Sequence, residues 1–160
     1  MLIEAKLEKL GLTLPEPPKI PSEVQISFAW VRVHDGRAYV AGHGPQNPDG
    51  SIAEPLGKLG EELSAEEGYQ AARLTALSIL GSLKRELGDL DRVAAWLMVY
   101  GLVNAAPDFT LTTNVINGFS DLIVELYGPE AGTHARVAPG IGTLPLGLPV
   151  TIAAEVAISL

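Results

Sequence analysis

Residues 133–155 read THARVAPGIGTLPLGLPVTIAAE. One cation, Arg136, stands in a run of small and apolar residues, and one acid, Glu155, lies near the end of it. The stretch divides into two strand-like segments, HARVAPGIGTL and PVTIAAEVAIS, joined through Gly and Pro. Strand alternation places Arg136, Ala138, Gly140 and Gly142 on one face, so that small residues leave a hollow with a guanidinium in its wall. Pro139 has no N–H to give a ladder, which assigns this part to a sheet edge or a bulge. In the last segment Thr151, Ala153, Glu155, Ala157 and Ser159 share a face, with Glu155 its single titratable group. Arg136 reads either as a two-bond grip for a carboxylate or as an ordinary salt-bridge or surface arginine. Glu155 reads either as a sheltered proton shuttle or as a structural partner of an arginine, across a subunit boundary for example.

Working outward, Ser64 and Glu67 form a capping-box pattern at the head of a helix. Tyr69, Ala72, Ala76, Ile79, Leu80 and Leu83 recur on one face of it until Gly88. Residues 91–103, DRVAAWLMVYGLV, form a long apolar strand. A second helix is expected from an Asp108 N-cap to about Tyr127, with Val115, Phe119, Leu122 and Leu126 inward and Gly128-Pro129 as its stop. Upstream, residues 2–11 read as a short helix, and LTLPEPPKIP (12–21) as an extended proline-rich arm. EVQISFAWVRV (23–33) and AYVAG (38–42) read as strands joined by a hairpin at HDGR, where Asp35-Gly36 supplies positive φ. Residues 43–63 read as loop. The order is β-β-α-β-α-β-β. Both helices are amphipathic, which predicts a two-layer α+β fold with both on one sheet face. The strands are apolar at nearly every position, so the other face also needs cover, and association of subunits supplies it.

Composition narrows the chemistry. The chain has 160 residues, is 47% hydrophobic and has no cysteine, which removes disulfides, thiolate metal sites and cysteine catalysis. Eleven basic residues against nineteen acidic ones, a formal charge of −8, argue against a nucleic-acid partner. No apolar run is long enough for a membrane helix, and the charged, amphipathic start is unlike a signal peptide, so a cytoplasmic location is expected. His34, His43 and His134 are too scattered for a metal site, and no metal or cofactor is expected. His43, after Gly42 at a strand end, lines a pocket or lies in a solvated loop. Asn114 and Asn117 sit mid-helix, where asparagine has poor propensity, and Asn117 points at a pocket or at water. Trp30 and Trp96 read as core or interface residues.

GKLGEELSAEEGYQAAR (57–73), AYVAGHGP (38–45) and HARVAPGIGTLP (134–145), in this order and spacing, resemble the YjgF/Rid family of reactive-intermediate imine deaminases. The resemblance runs from about Val24 to Ile158, and a length of 160 residues suits one domain, read as an N-terminal helix and arm (1–22) and a Rid-like domain (23–160). It implies a chorismate-mutase-like fold and a homotrimer with a barrel-like core and clefts between subunits. It also implies cofactor-free hydrolysis of 2-imino or enamino acids to 2-keto acids and ammonia. Arg136 matches the family's carboxylate-binding arginine, Gly42 the glycine whose N–H assists, and Asn117 approximately a second-helix asparagine. Two departures stand out. The family's last strand usually reads Val-x-Ile-Glu-x-Glu, and its first glutamate, which positions the attacking water, is Ala153 here; Glu155 matches the second. The usual tyrosine near the first strand is absent, and Phe28 or Trp30 stands nearby. The expected activity is therefore carboxylate binding with weak deaminase turnover. The alternatives are a non-enzymatic trimer that binds or senses a small carboxylate and, behind it, an endoribonuclease of the perchloric-acid-soluble-protein type, disfavoured by the negative charge and the missing histidine pair.

Overall fold

A computed structural model describes residues 1–160. The elements in chain order are α1 (Leu2–Lys9), β1 (Val31–His34), β2 (Arg37–His43), α2 (Ala65–Leu87), β3 (Val93–Asn104), α3 (Thr112–Ala131), β4 (Ala135–Val137), β5 (Gly140–Ile141) and β6 (Val150–Ile158). The sheet order is β1-β2-β6-β3-β4, with β5 also on β3. β1, β2, β6 and β3 are antiparallel neighbours, while β4 and β5 run parallel to β3. This is the expected two-layer α+β arrangement, with α2 and α3 on one face.

Local chemistry explains most boundaries. The Ser64 hydroxyl accepts from the Glu67 N–H, the Glu67 carboxylate accepts from the Ser64 N–H, and Gly88 closes α2 at φ 81°. Asp35 (φ 48°) and Gly36 (φ 75°) make the hairpin turn. Three expectations are corrected. The first strand starts at Val31, not at residue 23, because the ladder with β2 runs from Val31 to His34 and ends with one further bond, from the Ala41 N–H to the Trp30 carbonyl, leaving residues 23–29 without a paired strand. α3 starts at Thr112, with Leu111 rather than Asp108 at its N-cap. Its regular path ends, as expected, at Gly128, where φ is 82° and ψ 169°; Pro129, which needs no N–H in a first turn, starts a separate last turn to Ala131. Finally, the segment around Arg136 is two short pieces divided at Ala138-Pro139, on the sheet edge that Pro139 demanded.

The core lies between the helices and one face of the sheet. Ala76, Ile79, Leu80 and Leu83 of α2 meet Ile116, Phe119, Leu122 and Ile123 of α3 over Val99, Ile152, Ala154 and Val156. On the far face Tyr39, Tyr100 and Val137 are exposed. α1 packs its Ile3 and Leu7 against this core, and its start is held by Asp91, which accepts from the Leu2 and Ile3 N–H groups. Glu4, Asp89 and Asp91, distant in sequence, come together here, but Lys84 and the Met1 amine already pair with Glu4 and Asp91. No helix is long and apolar enough to cross a membrane.

α2 and α3 cross closely at Gly118, where an added Cβ would sit 2.0 Å from the Tyr69 carbonyl oxygen. In an open helix Gly→Ala gains about 1 kcal/mol. Here the methyl must push two helix backbones apart, which costs about 1–3 kcal/mol or more. Gly118→Ala is expected to lower the urea midpoint of unfolding; an unchanged or raised midpoint would show that the crossing is looser.

Candidate functional site

Arg136 stands on the edge strand β4, opposite Val99 of β3, which in turn faces Ala154 of β6. Val99 and Ala154 are buried under the helices, so this row places Arg136 on the helix side of the sheet. Its Nη1 donates to Ser120 Oγ (2.8 Å) and its Nη2 to the Thr113 carbonyl (2.9 Å), both on α3. No carboxylate lies within 4.0 Å of it. Burial pulls its pKa below the ordinary guanidinium range and the Asp121 carboxylate opposes that, so the group remains a cation. Of five N–H groups two meet neutral protein acceptors, leaving three for an anion. The salt-bridge reading of Arg136 thus has no acid to work with inside the chain.

Glu155 is not its partner within one molecule. Glu155 faces Met98 and Tyr39 across the strands, one row from Val99 and on the opposite face. Its carboxylate meets only the Tyr100 hydroxyl, at a long 3.5 Å. Ala153 lies on this same far face, opposite Tyr100.

His134 is a part of the site that sequence reasoning missed. Its Nε2 is 2.8 Å from Ser120 Oγ and its Nδ1 is 2.7 Å from the Gly132 carbonyl. Burial lowers its pKa, so the ring is neutral near pH 7. The available signal was its spacing of two residues from Arg136, which puts both on one strand face. Asn117 shares the α3 stripe of Thr113 and Ser120 by helical spacing, but no hydrogen bond joins it to Arg136. With Tyr69 and Asp121 it lines a shallow hollow between α2 and α3, where the Tyr69 hydroxyl donates to Asp121 (2.7 Å).

The other candidates gather elsewhere. Phe28, Trp30, Gly42 and His43 line a cavity of about 470 Å³ at the end of β2, together with Ile20 of the arm and Val24 and Ile26 just after it. Phe28 meets Trp30 edge-on at 5.0 Å, and Trp30 leans on the His43 ring at 4.9 Å. A Cβ at Gly42 would lie 2.8 Å from Thr151 Cγ2, so a side chain there would force Thr151 to shift. The arm is held by Glu16 and Lys19 N–H groups donating to the Pro48 and Gly50 carbonyls, and by Arg85 Nη1 donating to the Pro15 carbonyl. Arg136 does not line this cavity. One chain therefore brings Phe28, Trp30, Gly42 and His43 together, and sets Arg136 with Ser120 and His134 on the opposite flank of the sheet.

His43 is buried, not a solvated loop residue. Its Nδ1 is 2.6 Å from the Ala41 carbonyl, which must be accepting, so its Nε2 accepts from the Ser82 hydroxyl at 2.8 Å. With both nitrogens engaged, it offers the cavity ring surface. Burial, with the nearby Arg85 cation adding to it, lowers its pKa from 6.5 to about 4. The unfolded chain therefore takes up this proton first as the pH falls. The stabilising effect of neutral His43 is complete above about pH 6.5, is lost progressively on acidification and levels off near pH 4, a loss of about 3 kcal/mol at 1.36 kcal/mol per pH unit. Urea unfolding across this window should show that slope in the wild type and a shallower one in His43→Gln; equal slopes would contradict it.

The sequence profile of the family "YjgF/chorismate_mutase-like, putative endoribonuclease" matches residues 48–153. Protein TCP17 of Trypanosoma cruzi is 37% identical over 154 residues, spanning 96% of this chain and 92% of that protein. Among solved structures, Atu1372 of Agrobacterium tumefaciens, a protein of unknown function, superposes with a TM-score of 0.86 at 33% identity, covering 99% of this chain and 94% of the other. A "putative endoribonuclease" from Shewanella oneidensis superposes with a TM-score of 0.89 at 25% identity, over 99% and 100% of the two chains. With the fold, the motif order and this near full-length likeness in agreement, the chain belongs to the YjgF/Rid family.

Proposed function

We propose that this protein binds small 2-keto or 2-imino carboxylates at Arg136 and hydrolyses imino acids slowly, as a homotrimer. The observation that carries the reading is a half-buried guanidinium held by neutral acceptors, with no acid within 4.0 Å and N–H groups to spare. Such a group suits a planar carboxylate, which it takes through two parallel bonds. The overall reaction joins water to an imine carbon; the resulting carbinolamine expels ammonia and leaves a carbonyl. Arg136 orients the substrate, and orientation alone contributes much of the rate for a reaction this facile.

The trimer rests on two features. The far sheet face leaves Tyr39, Tyr100 and Val137 exposed. Arg136 and the cavity at Gly42 lie on opposite flanks of one sheet, so only neighbouring copies can bring them to a common cleft. A monomer by light scattering at micromolar concentration would refute both the trimer and the shared cleft.

Arg136→Ala should weaken 2-keto acid binding at least tenfold, since a hydrogen bond to a charged group contributes about 1.5–3 kcal/mol. Arg136→Lys should also bind poorly, because an ammonium cannot reproduce the fork. Equal affinity in calorimetry would remove Arg136 from the site.

Ala153 favours a second reading, a binding or sensing protein without turnover, because the family's water-positioning carboxylate is missing there. Residues 153 and 155 are about 6.6–6.8 Å apart along a strand, too far for Glu155 to hold a water where a residue-153 carboxylate would. Ala153→Glu is expected to raise ammonia release, and Glu155→Gln to lower it less than Arg136→Ala does. Fast wild-type turnover abolished by Glu155→Gln would instead make Glu155 the acid/base. The net charge of −8 gives an RNA-cleaving reading little support.

A further inference from the structure

Hydroxyls on a helix usually bond back to the carbonyl four residues earlier, and two in this protein do: Thr75 Oγ1 donates to the Ala71 carbonyl (2.8 Å) and Ser78 Oγ to the Leu74 carbonyl (3.3 Å). Ser120 does not. Its oxygen lies 2.8 Å from Arg136 Nη1 and 2.8 Å from His134 Nε2. A guanidinium can only donate, so Ser120 Oγ accepts from Arg136. The direction of the next bond is set by the far side of the imidazole. His134 Nδ1 is 2.7 Å from the Gly132 carbonyl, which can only accept, so Nδ1 carries the proton, and in the neutral ring Nε2 is the acceptor. The chain of donors runs from Arg136 Nη1–H to Ser120 Oγ, from Ser120 O–H to His134 Nε2, and from His134 Nδ1–H to the Gly132 carbonyl. Its last member is fixed by packing: a Cβ on Gly132 would lie 2.6 Å from the Gly128 carbonyl and 2.9 Å from Val124 Cα, so this turn fits tightly against the end of α3.

We propose that His134, acting through Ser120, is a positioning residue for the Arg136 guanidinium, locking its fork so that the remaining N–H groups face an incoming carboxylate. Without the imidazole acceptor, the Ser120 hydroxyl is free to turn back to its own helix, and one of the two bonds that hold the fork loses its orientation. The Thr113 carbonyl then remains as the single support, about which the fork can swing. The relay stands on the hydrogen-bond geometry around a neutral ring; what the fork receives rests on the carboxylate reading above.

The test uses ¹⁵N-labelled full-length protein, with ¹⁵N spectra of the His134 ring and the Arg136 Nη pair and with pyruvate titrations. The expected result is Nδ1-protonated His134 and separate, slowly exchanging Arg136 Nη signals in the wild type. Ser120→Thr, which keeps the hydroxyl, should retain them. Ser120→Ala and His134→Ala should merge the two signals and weaken pyruvate binding about tenfold, the effect of one lost hydrogen bond to a charge. The double variant should be no worse than either single one. Ser120→Ala removes one oxygen atom and keeps the test decisive if His134→Ala fails to fold. A proton on Nε2 of His134, or unmerged Arg136 signals in Ser120→Ala, would overturn the proposal. So would pyruvate binding of equal strength in all variants, although carboxylate binding would then stand. Merged signals in the variants without pyruvate binding in the wild type would support the relay and refute the carboxylate reading.

Discussion

The backbone of α2 at Tyr69 lies directly on α3 at Gly118, with no side chain between them. Much of the arrangement depends on this contact. It lets Phe119, Leu122 and Ile123 reach the α2 side chains and the sheet together, which closes the core. It also fixes the height of α3 above the edge strand β4. Thr113 and Ser120, on either side of Gly118, are the two α3 residues that hold the Arg136 guanidinium. A shift between the helices would therefore be transmitted to the candidate site with little slack, because close-packed interiors pass strain on rather than absorb it.

The two faces of the sheet divide the residues that matter. Val40, Ala154, Val99 and Arg136 form one row under the helices; Tyr39, Glu155 and Met98 form the neighbouring row on the bare face. A cation and an acid that look like partners in one stretch of chain are thus separated by the thickness of a sheet. The cavity at Gly42 adds a third location, at the far end of β2. Each of these is complete in its local packing and incomplete as a chemical site, which is why the proposed function joins them through neighbouring copies.

How much of this was legible in the sequence depends on the range of the interactions. α2 was legible because Ser64, Glu67 and Gly88 act on their own helix, and the hairpin because Asp35-Gly36 meets its own φ requirement. The alternation that singled out Arg136 and set Ala153 and Glu155 on one face is likewise local. Residues 23–30 read as strand because Val24, Ile26 and Phe28 alternate, but alternation cannot supply a neighbouring strand, and these side chains serve the arm and cavity instead. The parallel pairing of β4 and β5 with β3, and the meeting of Ser120, His134 and Arg136, depend on where α3 lies, which no short-range pattern encodes. His43 read ambiguously for the same reason: the groups that bury it come from Trp30 and from Ser82 of α2.

The same serial arrangement occurs twice. Arg85 Nη2 donates to Ser82 Oγ, Ser82 serves His43, and His43 reaches the Ala41 carbonyl, with the other Arg85 nitrogen on Pro15. In both cases an arginine is anchored by neutral groups, and acids that act on it without pairing, Asp121 on Arg136 and Glu16 on Arg85, offset its field only in part, less than an ion pair would. Around these two guanidiniums the molecule as a whole carries −8. An anion diffusing toward Arg136 first meets repulsion from the distant acids and feels attraction only within about a Debye length, ~8 Å at physiological ionic strength. Added salt screens the long-range repulsion before it weakens the partly buried short-range attraction. Association with an anion should therefore quicken with moderate salt, the reverse of a site set in a basic surface.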